Sequence, residues 1–346
     1  MRRLAWLLLS VSLASAAFWS GGPFGPKLAK ACGGVFSGRL KKDERKPSLS
    51  YEQTLIVHDP ELGREHFVRE VVFRAASQPF GFVVPTPARP EVAKLAKNPF
   101  ERLRAAFPYR SPLGVGHGLG QGFGSGAGPK GGGVRVLEVK KVGSFTAFVL
   151  AADDEAALSS WLAKHRLESG PETRAWLAHY VRAKYFFVAM RYDPVPSDDG
   201  EVGKTQSETV RFSFDTPLPY YPYFEPERPD SGEPRLLELW LVTPRPAIPV
   251  ALRESGGTAS FVRPFAEGFR YEAPRRSDLE EALGADKKLL FAARPIIQRF
   301  MDQKRSRAGF GDVVFVPGQK VALDARALGP LLSALDPSLA GAKEAP

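Results

Sequence analysis

Eleven of the chain's 33 glycines fall between residues 114 and 133. Glycine buries no side chain and loses the most backbone entropy on ordering, so no packed element is expected there. The stretch reads as a flexible loop with a reach of about 25 Å. It divides the apolar pattern into a first α+β part, 51–113, and a second, 134–317. The alternation Gly116, Gly118, Gly120, Gly122 superficially matches a phosphate-binding loop. Such a loop needs a strand before it and a helix opening directly after it. Here Pro108 and Pro112 precede it, more glycine follows, and no Gly-Lys-Ser/Thr occurs.

On either side, the periodicity gives a coarse element map. Residues 54–57 and 67–74 read as a hairpin around the turn composition of 59–63, and 80–84 as a third strand. Residues 91–97 read as a helix, followed by another starting at Pro99 with Asn98 as its N-cap. Beyond the loop, 134–142 and 144–150 read as strands joined at Gly143. Acids at Asp153, Asp154 and Glu155 suit a helix first turn, and Leu158, Trp161, Leu162 and His165 recur at helical spacing. Gly170-Pro171 opens a further helix. Residues 185–190 are apolar on both faces, as a central strand requires. Strands follow at 209–214, 236–243 and 313–316. Residues 278–303 read as mostly helical, broken at Pro295. The expected fold is α+β: one or two mainly antiparallel sheets with helices packed on one face.

The N-terminus carries a secretion pattern. Arg2 and Arg3 precede an apolar run, 4–19, about 16 residues long and interrupted by serines. A membrane-spanning helix needs roughly 20, so the run reads as a cleaved signal peptide, 1–16, ending at Ala14-Ser15-Ala16. An alternative end at 31 leaves Cys32 first, as a lipidation site or free thiol, although Ala29 and Lys30 depart from a lipid-modification box. Residues 17–50 read as a weakly ordered mature N-terminus and 318–346 as a C-terminal tail.

Hydrophobic residues make up 43% of the 346, which fits a folded protein and not a disordered one. A single Cys excludes an intramolecular disulfide, so packing must supply the stability. The net charge of +10 falls to +8 when Arg2 and Arg3 leave with the leader. Its local runs are 39–46, Arg275-Arg276 and 304–307, each read first as a solvated face. Export and the lack of a binding motif exclude nucleic acid as a partner.

Catalytic and metal motifs are sparse. The histidines are His58, His66, His117, His165 and His179. His58 and His66 approach each other if they share a hairpin face, which supplies two ligands where zinc takes three or four. No metal and no cofactor is expected. No Gly-x-Ser-x-Gly elbow occurs. Asp153-Asp154-Glu155 and Glu280-Glu281 fall where helices start or face solvent. The candidate binding residues are Tyr220, Tyr221, Tyr223 and Phe224, held extended by Pro217, Pro219, Pro222 and Pro226. Aromatics on such a segment stack on sugars or a peptide; the competing reading is that they cover the core edge.

Five segments occur in the order of a known family: Ala31-Cys32-Gly33-Gly34-Val35-Phe36; the aromatic strand Phe80-Gly81-Phe82-Val83-Val84 running into Pro85-Thr86-Pro87; Val142-Gly143-Ser144-Phe145 with Val149-Leu150; 156–162; and Tyr185-Phe186-Phe187-Val188-Ala189. Across 31–245 the chain resembles the bacterial domain of unknown function 2330 family. The resemblance implies an exported bacterial protein and supplies no catalytic residues. Members often carry further cysteines near the Cys-Gly-Gly segment and in the glycine-rich region; this chain lacks them. The functional expectation is an exported cell-envelope protein, a non-catalytic module binding an envelope protein or polysaccharide. The alternative is an exported hydrolase acting on cell-wall or polysaccharide material; a third reading is a structural subunit of an envelope assembly. Membrane contact is expected only through Cys32 or an uncleaved leader.

Overall fold

The computed structural model describes residues 35–37, 48–74, 80–108, 134–192, 204–206, 208–226, 236–255, 258–265, 267–271, 275–304, 307 and 309–318. The leader, Cys32, the basic run 39–46, His117, the glycine-rich stretch and the tail beyond 318 lie outside them.

The first strands are β1 (Val35–Ser37), β2 (Ser48–Asp59), β3 (Arg64–Arg74), β4 (Phe80–Thr86) and β5 (Glu91–Lys94). Helix α1 spans Phe100–Ala106. Then come β6 (Val134–Val142), β7 (Phe145–Ala152), α2 (Glu155–Lys164), α3 (Pro171–Arg182) and β8 (Phe186–Tyr192). Strands β9 (Lys204–Gln206), β10 (Val210–Asp215), β11 (Tyr220–Tyr221) and β12 (Leu236–Thr243) follow. The last elements are β13 (Ala247–Ser255), β14 (Thr258–Val262), β15 (Glu267–Tyr271), α4 (Arg276–Leu283), β16 (Ile296–Asp302) and β17 (Phe310–Pro317).

The fold is α+β in the broad sense and mostly β, with three mainly antiparallel sheets where one or two were expected. Their orders are β1-β4-β8-β7-β6, then β15-β16-β12-β2-β3-β10-β5 with β9 beside β3, and β11-β17-β13-β14. Strands from before and after the glycine-rich stretch share the first two sheets, so that stretch does not separate two independent sheets. The β12–β2 pair is parallel.

The large sheet is the central layer. On one face, Phe67 lies 6.0 Å from Tyr221 and Phe73 lies 4.5 Å from Phe80, tying it to the small sheet and the five-stranded sheet. On the other face, Leu55, Val57, Val68, Trp240 and Ile297 form a second core with α1 and α4. Helix α2 packs on the five-stranded sheet, where Trp161 meets Phe148 edge-on at 5.1 Å. Both faces of that sheet are therefore covered, and β4 and β7 are buried along their whole length.

Local chemistry explains most elements. Asp59 Oδ1 accepts the Glu61 and Leu62 N–H groups in the β2–β3 turn, and Gly63 follows at φ +57°. Asn98 Oδ1 accepts the Phe100 N–H at 2.9 Å and starts α1. Asp154 does the same for Ala157 at 2.7 Å in α2. Helices α2 and α3 both end in a Schellman arrangement with a cation where glycine is usual. Arg166 (φ 61°) and Lys184 (φ 60°) occupy those positions, and the closing bonds are Leu167 N–H to Leu162 O and Tyr185 N–H to Tyr180 O. A basic residue there suits the negative helix end.

Three expectations are corrected. Residues 91–94 form an edge strand, not a helix, because β10 offers them a ladder that buries Val92. Residues 296–302 form β16 between β12 and β15. Part of 17–50 is ordered strand: β1 pairs with β4, and Phe36 is buried.

Gly81 is required by space. A Cβ there would lie 2.3 Å from the Met190 carbonyl oxygen and 2.7 Å from Leu167 Cδ2. The carbonyl belongs to the paired strand and cannot rotate away. Gly81→Ala is expected to cost about 1–3 kcal/mol, read as a lowered urea midpoint at unchanged slope.

Candidate functional site

The aromatic segment 220–224 is interior. Tyr220 is 1% exposed, Tyr221 0% and Tyr223 0%; Phe224 is half-buried. The exposed stacking surface expected of these residues is therefore corrected. The prolines hold the segment extended, β11 adds it to β17, and its polar atoms meet acids from four different strands. Tyr220 N–H donates to Glu65 at 2.7 Å and its hydroxyl to Asp312 at 2.6 Å. Tyr221 OH donates to Glu52 at 3.0 Å, Tyr223 OH to Asp302 at 2.9 Å, and Phe224 N–H to Asp312 at 2.9 Å. A buried Tyr needs a partner for its hydroxyl, and here each supplies the donor that a buried carboxylate needs.

Asp312 also accepts from Tyr180 OH at 2.9 Å, so one carboxylate joins α3, the aromatic segment and β17. Burial pushes it up to about 6, against the opposing effect of hydrogen bonds from Tyr220, Phe224 and Tyr180 and of nearby His179. The native state then holds a proton that the unfolded chain has lost, so this group's contribution to stability falls as pH rises from about 4 to about 6. His66 acts oppositely. Burial, then Arg211 and Arg64, lower it to about 4, so its contribution is lost as pH falls from about 6.5 towards 4. The difference between wild type and Asp312→Asn isolates the first effect. Relative to wild type, the variant is expected to gain stability as pH rises across 4–6 in urea titrations.

A second polar cluster lies on the helix-covered face of the large sheet. Tyr51 and Gln53 of β2, Glu70 of β3, Glu238 and Trp240 of β12 and Arg299 of β16 share that face by register. Arg104 reaches in from α1. Glu238 is 1% exposed and receives Tyr51 OH at 2.5 Å, Arg104 Nη1 at 3.2 Å and the Arg299 guanidinium. Burial and the adjacent Glu238 push the Tyr51 hydroxyl upward, so it remains a donor. Gln53 accepts from Arg104 and donates to Glu70 at 2.6 Å; Asn98 also donates to Glu70 at 2.6 Å. The Arg299 guanidinium lies 4.6 Å above the Trp240 ring.

Three buried side-chain atoms of this cluster have no hydrogen-bond partner among the described residues: Trp240 Nε1, Arg299 Nε and Glu238 Oε1, the last two belonging to the Arg299–Glu238 ion pair. Trp240 is 0% exposed and its indole N–H is unpaired. Every contact of Arg104 uses Nη1, and its side chain remains 30% exposed. The cluster is thus closed on the sheet side and open at the rim formed by Arg104 and the half-buried Tyr51. No motif announces it, since its members come from five elements. The available signal was a charge inside an apolar strand, as in Leu236-Leu237-Glu238-Leu239-Trp240.

Most other sequence candidates have structural roles. His58 and His66 point to opposite faces of the hairpin, because they occupy successive register pairs, His58 with Glu65 and Val57 with His66. His58 Nε2 lies 3.0 Å from Thr216 O, and His66 Nδ1 lies 2.8 Å from Ser213 Oγ. His165 stacks on Trp161 at 3.7 Å. Among the described residues, no group of three or more His, Cys, Asp or Glu is arranged for a metal ion. Arg275 and Arg276 pair with Asp278 and Glu280. Arg307 leaves the expected solvated run entirely: it is 1% exposed between Asp302 and Glu225.

The molecule is therefore a mostly β protein of three sheets with an enclosed polar cluster under a short helix. A family model described as uncharacterized protein conserved in bacteria (DUF2330) matches residues 26–224, more than half of the chain. The chain belongs to that family. No curated protein matches it. Among solved structures, the crystal structure of baculovirus P35 is similar at a TM-score of 0.40 and 7% identity. That match covers 79% of this chain and 98% of that one; a likeness at this level carries no argument about the present protein.

Proposed function

We propose that this is an exported bacterial cell-envelope protein and a non-catalytic binding module, with its ligand site at the rim of the Arg104–Glu238–Trp240 cluster. One observation carries the reading: a fully buried indole N–H without a hydrogen-bond partner lies on the same sheet face as Glu238, which a part-exposed guanidinium reaches. Buried donors are almost always satisfied, so an orphan on a face with an open rim marks where an acceptor enters. The leader pattern supports export.

The hydrolase alternative needs two carboxyls facing a cleft. Glu65 and Asp312 are both held above the ordinary carboxylate range, burial being the first cause in each case. Tyr220 stands between them, bonded to both, and this favours a structural use. Partners remain an envelope protein or polysaccharide, or a smaller ligand.

The test uses the mature chain, 17–346, immobilised and exposed to fractions of its native envelope. Arg104→Ala is expected to weaken retention of the bound species about tenfold, the effect of about 1.4 kcal/mol. Unchanged retention rejects the site. The intact mass of natively purified protein tests the location. A start at Ala17 with free Cys32 means a soluble exported form; a start at acylated Cys32 means a membrane-tethered one.

A further inference from the structure

Resting on the binding reading above, we infer that Glu70 is the positioning residue of this site: through the amides of Gln53 and Asn98 it sets both Arg104 and the start of α1. An ionised carboxylate only accepts hydrogen bonds, whereas a side-chain amide has one accepting end and one donating end. Which way such an amide faces is decided by its neighbours. Glu70 decides it twice. Its Oε2 accepts from Gln53 Nε2 and its Oε1 from Asn98 Nδ2, each at 2.6 Å. Gln53 and Glu70 are register partners on β2 and β3, and both are buried.

With the NH2 ends turned to Glu70, both amide oxygens point to donors of α1. Gln53 Oε1 accepts from Arg104 Nη1. Asn98 Oδ1 accepts the Phe100 N–H at 2.9 Å, one of the donors that a helix leaves unpaired in its first turn. A reversed Gln53 would set its NH2 against the Arg104 guanidinium, donor against donor. A reversed Asn98 would do the same to the Phe100 N–H. Holding both amides takes two acceptor atoms in one side chain. Glutamine at position 70 offers one, so one amide must reverse or lose its bond. Glu70 also has a further polar contact, and the test separates that contact from the amide relay by moving the carboxylate.

Three variants of the mature chain, 17–346, are compared with wild type: Glu70→Gln alone, Glu70→Gln with Gln53→Glu, and Glu70→Gln with Asn98→Asp. Each double variant shifts the carboxylate one step along the relay, keeps the charge and matches every donor of the relay to an acceptor. Neither restores the acid at position 70, so recovery is owed to the amides and not to its other contact. The readouts are hydrogen exchange of 100–106 without ligand and retention of the envelope species described above. Asn98 is the chain's only asparagine, so ¹⁵N-asparagine labelling adds its side-chain amide as a single assigned group. Glu70→Gln is expected to shift that signal, to speed exchange at Phe100 about tenfold and to weaken retention about tenfold. Both double variants are expected to return exchange and retention to the wild-type level, with circular dichroism establishing that each is folded. If one does not fold, the other decides. Wild-type exchange and retention in Glu70→Gln overturn the inference, as does a folded double variant that stays at the level of Glu70→Gln. If exchange follows expectation while the wild-type chain retains nothing, the relay still sets α1 and the binding reading falls. If Arg104→Ala loses retention and Glu70→Gln keeps it, the binding reading stands and the positioning role falls.

Discussion

Replacing Arg307 with methionine is expected to lower stability by about 3–5 kcal/mol. Arg307 is 1% exposed, donates from Nε to Asp302 at 2.9 Å, reaches Glu225 at 3.5 Å and lies over the Tyr223 ring at 4.9 Å. Burial lowers its guanidinium to about 9, yet two carboxylates, each 2% exposed at the side chain, depend on it. Methionine preserves much of the volume and removes the charge. Asp302 keeps Tyr223 OH and Lys304 as partners, and Glu225, 2% exposed at its side chain, loses the guanidinium that faces it. Against a total of about 5–15 kcal/mol for a domain, this brings the fold close to its threshold. Urea unfolding followed by tryptophan fluorescence measures the loss. Adding Asp302→Asn and Glu225→Gln should recover much of the stability. A loss under about 1 kcal/mol at pH 8 would contradict the role given to this cation.

Glu238→Ala is expected to be comparably costly, about 3–5 kcal/mol. Tyr51, Arg104 and Arg299 all converge on that carboxylate. Its loss also removes one of the ties between α1 and the sheet, the charged one, while Arg104 keeps Gln53 of β2. Hydrogen exchange in 100–106 should therefore accelerate more than in α2 or α3. Glu238→Gln keeps an acceptor and gives up the charge, so its cost should be smaller, on the order of 1–3 kcal/mol. Equal protection of α1 in wild type and Glu238→Ala would refute the clamp.

Where local chemistry decides structure, the sequence was readable. The limits of β12 are those expected from its apolar run, and Gly143 at φ +57° joins β6 to β7. Asp154 caps α2, and Asn98 bonds the first residue of α1 from one position before its cap, Pro99. Where distant pairing decides, it was not. The segment Ile296-Ile297-Gln298-Arg299-Phe300-Met301-Asp302 carries three polar residues that look solvent-facing. In the fold all three are buried: Gln298 bonds the Ala247 backbone, Arg299 meets Glu238, and Asp302 meets Arg307. The tyrosine run left a stacking platform and a core-edge cover both open for the same reason, and the fold takes the second. Prolines and aromatics suggest an exposed platform, and only the positions of Glu52, Glu65, Asp302 and Asp312 turn each polar atom inward. The site on the helix-covered face was illegible because its members span residues 51–299 and meet only through strand register.

The most direct test of the binding account is native mass spectrometry of the protein purified from its own envelope without denaturation. The account predicts a species heavier than the mature chain by its bound partner, absent from Arg104→Met purified in parallel. Identical spectra for the two proteins, each showing the bare chain alone, would contradict it and leave the cluster as a clamp for α1.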